Sequence, residues 1–218
     1  MGLPQRPQHE LALGANHFQR VIAMLGKQSN RVEKLERGQV NAASIVTTLP
    51  TNPYNGMVVQ VQTSAMSSAN VVWRFRYNEN AGTYKWEFVG GGAWIVEIAA
   101  QQTAATGGAY QDLATSGPSI TVPFAGVYEV AHGSAMDFSV ITSNRVIEQT
   151  VKVGSAAAGS ANSVYSASPN LTGLRQSISR VLDITAAAGD ELRVQYRVPA
   201  DTGRWQDRWL RVIPIVVG

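Results

Sequence analysis

From Met57 onward the chain runs in short stretches in which every second side chain is apolar, and this period of two is the feature that most constrains its fold. A strand sends successive side chains to opposite faces, so strict alternation reads as one buried face and one wet face. The pattern is sharpest in two runs. In Val71-Val72-Trp73-Arg74-Phe75-Arg76-Tyr77 the aromatic rings Trp73, Phe75 and Tyr77 share one face, and Arg74 and Arg76 share the other. In Tyr84-Lys85-Trp86-Glu87-Phe88 the rings Tyr84, Trp86 and Phe88 lie opposite Lys85 and Glu87. Asn78–Gly82 between them reads as a turn, so the two runs predict a hairpin whose aromatic triplets face each other while Glu87 meets the arginines. Met57–Gln62 supplies a third strand, and Gly90-Gly91-Gly92 closes a small β module over 57–92.

Residues 93–218 continue in the same style. Strands are expected at Ala93–Ala99, Ser119–Phe124, Gly126–His132, Met136–Ile141, Arg145–Val153, Ser163–Ala167, Leu174–Asp183, Glu191–Val198 and Arg204–Val217. Turn signals punctuate them at Gly107-Gly108, Ser116-Gly117-Pro118, Gly189-Asp190 and Ala200-Asp201-Thr202-Gly203. Many short strands at this spacing predict an antiparallel β-sandwich of the jelly-roll kind. The end of the last strand, Val212–Val217, is apolar on both faces. An outward apolar face of that sort asks for a covering layer, which a neighbouring subunit would provide.

The period changes before residue 41. With Leu11 at position a of a heptad, the a positions are Leu11, Phe18, Leu25, Val32 and Gln39, and the d positions are Gly14, Val21, Gln28 and Leu35. Such a stripe is what a coiled coil buries, here through Leu11, Phe18, Val21, Leu25, Gln28, Val32 and Leu35. Gln28 is the polar member that fixes register. Arg31 at g and Glu36 at the next e are spaced to pair between parallel chains. The stripe leaves two strands or three open, and it also suits a single amphipathic helix packed on its own domain. The expected organisation is therefore an extended arm over 1–10, a coiled-coil helix over 11–40, a Pro- and Asn-Gly-containing linker over 41–56, the aromatic module over 57–92 and the sandwich over 93–218.

Composition narrows the function. The chain has no cysteine, which excludes disulfides and thiolate metal sites, so oligomerisation is the obvious extra source of stability. No run of 18 apolar residues occurs, so no membrane-inserted helix is expected, and the first ten residues lack the apolar core of a signal peptide. The net charge of +3 is that of residues 1–40, where six basic residues face three acidic ones; the remainder is balanced. That is too dilute for a nucleic-acid surface. His9, His17 and His132 lie in different elements and lack a second ligand at metal spacing, so neither a metal nor another cofactor is expected. No nucleophile elbow, phosphate loop or dinucleotide fingerprint is present, and no catalytic residue is assigned. The run Thr202–Trp209 combines aromatic and polar groups, and Trp205, Asp207 and Arg208 are its candidate ligand-binding residues, although tryptophans in such a strand more often fill a core or an interface. The Gly154–Gly173 segment is a second candidate, as a long exposed loop.

Two resemblances add to this reading. Residues 49–92, through Leu49-Pro50, Pro53-Tyr54-Asn55-Gly56, Trp73–Tyr77 and Tyr84–Gly91, resemble a module of minor structural and tail-fibre-like proteins of tailed phages, notably those of actinobacterial hosts. More loosely, Pro123–Val130 and Leu182–Val194 resemble strands of the trimeric jelly rolls of the complement and tumour-necrosis-factor type. Together they imply a homotrimeric, non-enzymatic virion protein: a tail fibre or receptor-binding adhesin, mounted on other virion proteins through its arm and coil, whose head recognises a host-surface glycan. A capsid decoration or head fibre is the alternative, followed by a polysaccharide-cleaving tailspike.

Overall fold

The computed structural model describes residues 45–218 apart from 105–106, 141–144, 169–174 and 200–201. The coiled-coil seam from Leu11 to Leu35 and the Arg31–Glu36 pair lie outside the described residues. The strands are, in chain order, β1 (Ile45–Val46), β2 (Val58–Val61), β3 (Trp73–Tyr77), β4 (Trp86–Gly91), β5 (Trp94–Ile98), β6 (Gln102–Ala104) and β7 (Gly107–Gln111). Then come β8 (Ser119–Thr121), β9 (Gly126–Val140), β10 (Arg145–Val153), β11 (Val164–Ser168), β12 (Gln176–Ala186), β13 (Glu191–Val198) and β14 (Thr202–Val217). Among the described residues one short α-helix, α1 (Ser64–Ser68), is capped by the Thr63 hydroxyl, and a 3-10 turn spans Ser160–Asn162.

The strands form two sheets. In the large one the order is β1-β2-β3-β4-β14-β9-β12, and β5 and β6 pair with further stretches of β14. In the small one the order is β11-β10-β13-β7, with β8 also on β13. Between β5 and β14 the chain crosses repeatedly from sheet to sheet: β5 and β6 large, β7 and β8 small, β9 large, β10 and β11 small, β12 large, β13 small, β14 large. Neighbour orders β5/β6-β14-β9-β12 and β7/β8-β13-β10-β11 are those of an eight-stranded jelly roll. The protein is thus mainly β, and its core lies between the two sheets.

Strand β13 shows why the sequence folds this way. Leu192, Val194, Tyr196 and Val198 are fully buried, while Glu191, Arg193, Gln195 and Arg197 point outward. Each inward Val or Leu contributes about 1.5–3 kcal/mol of transfer free energy, and a slip of one residue would forfeit all of them.

The aromatic hairpin forms with the expected faces. Phe75 sits against Phe88 and Tyr77 against Trp86, both edge to face at 6.1 and 5.2 Å, and Arg76 pairs with Glu87 at 2.6 Å. The triplets do not meet fully. Trp73 lies opposite Gly91, because the register shifts between Arg74 and Phe75, and Tyr84 precedes β4. Gly90 and Gly91, expected to close the module, lie inside β4. At Gly91 φ is 130°, and a Cβ there would stand 2.2 Å from the Val72 carbonyl oxygen, so only glycine fits. Trp73 instead packs on Trp94 and Tyr128, its ring centroids 6.1 and 6.3 Å from theirs, and Phe75 packs on Phe124. The hairpin therefore shares its core with the jelly roll, and residues 45–218 form one compact unit.

Three further departures have local causes. Gly126–His132 and the described part of Met136–Ile141 belong to one fifteen-residue strand, β9, whose small residues Gly133, Ser134 and Ala135 keep to the ladder. Gly107-Gly108 opens β7 and is not a turn. Strands β1 and β6 are too short to carry a period of their own.

Candidate functional site

The outward face of the large sheet is the candidate site, and its side chains follow from strand register. One row crosses four strands as Ile95, Arg211, Ala131 and Val181; the next runs Glu97, Trp209, Gly133 and Ser179. Ile95 and Val181 are 49% and 58% exposed, and Ile215 beyond them 39%. The two arginines Arg211 and Arg204 of this face are paired within the chain. Arg211 reaches Glu129 at 2.5 Å, and Arg204 grips the nearly buried Asp137 through two bonds of 2.6 and 2.7 Å. Trp209 lies over Gly133, where a Cβ would come within 2.7 Å of the indole. Two shallow hollows flank the ring. One, of about 150 Å³, is lined by Glu97, Ala99 and Asp207; the other, of about 340 Å³, includes Ser177 and Ser179.

Strand β14 places the three predicted ligand residues differently from one another. Its register against β9 shifts between Gln206 and Trp209, where Asp207 is an extra residue with φ 51°. This is a β-bulge. Asp207 is exposed, whereas Trp205 and Arg208 both point into the core and are fully buried. A molecule on the surface can touch Asp207 and Trp209 but not Trp205 or Arg208. Trp205 packs edge to face on Tyr196 at 5.2 Å, and the Arg208 guanidinium lies 5.6 Å from the centre of the same Tyr196 ring. Arg208 Nη1 donates to the Thr115 carbonyl at 3.3 Å, while Nε and Nη2 have no hydrogen-bond partner among the described residues.

A polar chain spans the sheets behind this face. The Ser134 hydroxyl donates to Gln149 Oε1 at 2.5 Å. The Gln149 amide donates to His132 Nδ1 at 3.0 Å, and His132 Nε2 donates to the Asn162 carbonyl at 3.1 Å. This arrangement suits the neutral imidazole. Burial holds the His132 pKa down at about 4, and the nearby Arg180 adds to the effect, whereas the bond to Asn162 opposes it. Among the described residues no three His, Asp or Glu side chains converge as metal ligands, and no helix is long and apolar enough to cross a membrane.

No protein-family profile matches the chain, and no curated protein matches it. Among solved structures it is similar to Eiger TNF from S. frugiperda, at 14% identity and a TM-score of 0.39, over 57% of this chain and 93% of that one. It is also similar to the globular domain of zebrafish complement 1qA protein, at 13% identity and a TM-score of 0.32, over 58% and 98% of the two chains. A third likeness is to the VP2 subviral particle of infectious bursal disease virus, at 9% identity and a TM-score of 0.35, over 66% and 43%. The assignment of a jelly roll rests on the strand order itself.

Sequence reading missed Ile95 and Val181 as surface residues, since Ile95 stands in an apolar run and Val181 beside Leu182. The signal was the phase: Trp94 and Ile184 face inward, so Ile95 and Val181 must face out.

Proposed function

We propose that the chain is a non-enzymatic structural protein of a tailed-phage virion, a homotrimeric fibre whose jelly-roll head is a host-surface adhesin. The observation that carries this reading is the row Ile95–Arg211–Ala131–Val181. It carries the exposed aliphatic side chains Ile95 and Val181, and its one charged member, Arg211, is paired with Glu129. Exposed aliphatic side chains of that kind gain free energy when another apolar surface covers them, and the cation between them is already paired. A second copy of the same chain is the occupant, because the heptad seam from Leu11 to Leu35 would hold copies side by side. The likeness of residues 49–92 to phage fibre modules supplies the virion setting. Mounting on other virion proteins through the arm and coil belongs to the same proposal.

The test is the native mass of the full chain by light scattering across a dilution series. The expected mass is three times the 23.4 kDa of one chain. The double variant Ile95→Glu/Val181→Glu, which changes only outward positions, should dissociate at concentrations at least about tenfold higher than the parent. A parent protein that stays a single chain at micromolar concentration would overturn the reading.

A further inference from the structure

A cleft opens on the outward face of the small sheet, on the side opposite the proposed subunit face. Its floor follows from alternation. Tyr196 and Val198 point inward, so Gln195 and Arg197 point out from β13, and β10 adds Lys152 beside them. Tyr110 of β7 forms one wall. The other wall is the segment after β10, which folds back over the sheet and is fastened there. Gly154 N donates to the Glu191 carbonyl at 2.9 Å, and the Thr150 hydroxyl donates to the Gly159 carbonyl at 2.8 Å. Asn162 Nδ2 donates to the Val151 carbonyl at 3.4 Å. Gly154 has φ 53°, and a Cβ there would meet Asp190 Oδ1 at 2.5 Å, so the fold-back needs glycine. Ala156, Ala157 and Ala158 follow; methyl side chains leave the wall's peptide groups open to a ligand. The space enclosed is about 550 Å³, within the roughly 300–1,000 Å³ usual for small-ligand clefts.

Charge separates this cleft from the rest of the sheet. Arg193, on the same strand, is neutralised by Asp112 at 3.1 Å and Glu191 at 2.7 Å. Arg197 shares one carboxylate, Glu148 at 3.8 Å, and that carboxylate already accepts the Tyr110 hydroxyl. Arg197 Nε has no hydrogen-bond partner among the described residues. Lys152 makes no ion pair among the described residues. Lys152 and Arg197 thus line the cleft with one carboxylate, Glu148, in contact and a second, Glu191, acting on Lys152 from outside it; the cleft also carries a ring, two serine hydroxyls and an amide.

We propose that this cleft binds a short segment of acidic glycan, a sugar bearing a carboxylate or phosphate. Lys152 and Arg197 hold the anion, the Tyr110 ring packs on the sugar's C–H face, and Ser155, Ser160 and Gln195 bond its hydroxyls. Two isolated cations beside one ring do not make the continuous basic stripe that a nucleic acid follows. The proposal deepens the adhesin reading and rests on it for the biological partner: three such clefts on one particle would turn weak single-site binding into firm attachment.

The experiment is calorimetric titration of the full chain with tetragalacturonate, a glycerol-phosphate oligomer and neutral isomaltotetraose, repeated with host cells. At least one acidic oligomer should bind with Kd below about 1 mM, and the neutral one at least about tenfold more weakly. Lys152→Gln should weaken the acidic oligomer at least about tenfold. Ala157→Trp, on the exposed wall away from every sheet contact, should block the cleft while thermal unfolding stays unchanged. The two acids tell carboxylate from phosphate. Equal binding of the neutral sugar or of a single-stranded oligonucleotide, no binding of either acid, or full binding by both variants would overturn the proposal. Cell attachment that survives both variants would sink the cleft and keep the adhesin. Acidic-oligomer binding by a single-chain protein would keep the cleft and sink the fibre.

Discussion

Strands β13 and β14 occupy equivalent places. Each is the centre of its sheet, with one long partner on one edge and short strands in succession on the other: β10 against β7 and β8 for β13, and β9 against β4, β5 and β6 for β14. They differ in phase. In β13 the inward positions run Leu192, Val194, Tyr196 and Val198 without interruption. In β14 the inward set moves from Trp205 to Arg208, Leu210, Val212 and Pro214, then changes again to Val217. Of three register shifts against β9, the one at Asp207 and the one between Pro214 and Val216 account for the changes. A strand of sixteen residues paired along both edges accumulates twist, and bulges let it keep pace with β9. The regular strand presents the proposed ligand cleft, and the broken one presents the proposed subunit face.

The sharpest way to break this comparison is to remove one residue from each strand. Deleting Gln195 from β13 moves Tyr196 and Val198 onto the wet face and Arg197 into the core. At about 1.5–3 kcal/mol for each large side chain expelled, the cost approaches the whole stability of a domain, and no cooperative unfolding transition is expected. Deleting Asp207 takes out the bulge residue itself, so Trp205 and Leu210 still face inward. That variant should fold, with a loss of no more than about 1–2 kcal/mol in urea melts. Equal damage from the two deletions would show that phase is not what separates the strands.

This contrast also marks how much could be read in the sequence. Where alternation is intact, as in β13, the strand position and the buried face follow from a period of two. The aromatic hairpin was legible for the same reason. In β14 the same reasoning gave Trp205, Asp207 and Arg208 as one surface group, although only Asp207 is at the surface. This bulge is one residue, Asp207, in a left-handed conformation, and an Asp at that position carries no pattern that a run of alternating residues would reveal. The Tyr110–Lys152–Arg197 cleft was less legible still. Its walls come from residues about forty apart in the chain, brought together only when β7 and β10 flank β13. The Gly154 segment pointed to the right neighbourhood but to no ligand chemistry.

A second difference concerns what lies behind each strand. The inward side chains of β13 are Leu192, Val194, Tyr196 and Val198, whereas the β9–β14 layer carries inward His132 in its bonded chain with Gln149 and Asn162. With an ordinary pKa of 6.5 and about 4 in the folded protein, the unfolded chain binds the extra proton between these values. Stability from this group is therefore complete above pH 6.5 and is lost as pH falls through 6.5 toward 4, by about 3 kcal/mol in all. In His132→Gln that portion of the pH dependence should vanish from urea melts taken between pH 7 and 4, leaving the carboxylate contribution near its lower end. An unchanged profile would mean that a protonated imidazole is tolerated in the chain. The Gln149 amide would then have to turn, since its N–H faces Nδ1 in the neutral arrangement.

Arg208 gives the smallest effect and the finest test of what the bulge does. The phase change at Asp207 delivers a guanidinium into the core, where it meets the face of Tyr196 and one carbonyl, and no carboxylate among the described residues. A cation–π contact in a dry site is worth about 2 kcal/mol, and a bond from a charged donor about 1.5–3 kcal/mol. Those gains are set against a desolvation penalty of several kcal/mol for the charge. The balance tips against arginine. Arg208→Met keeps the length and the contact with Tyr196 and removes the charge. It should raise stability by about 1 kcal/mol, read as a shift of a few degrees in the unfolding midpoint. A fall of similar size would mean that the free Nε and Nη2 hydrogens are engaged in solution, and the bulge would then serve to position a cation and not merely to relieve twist.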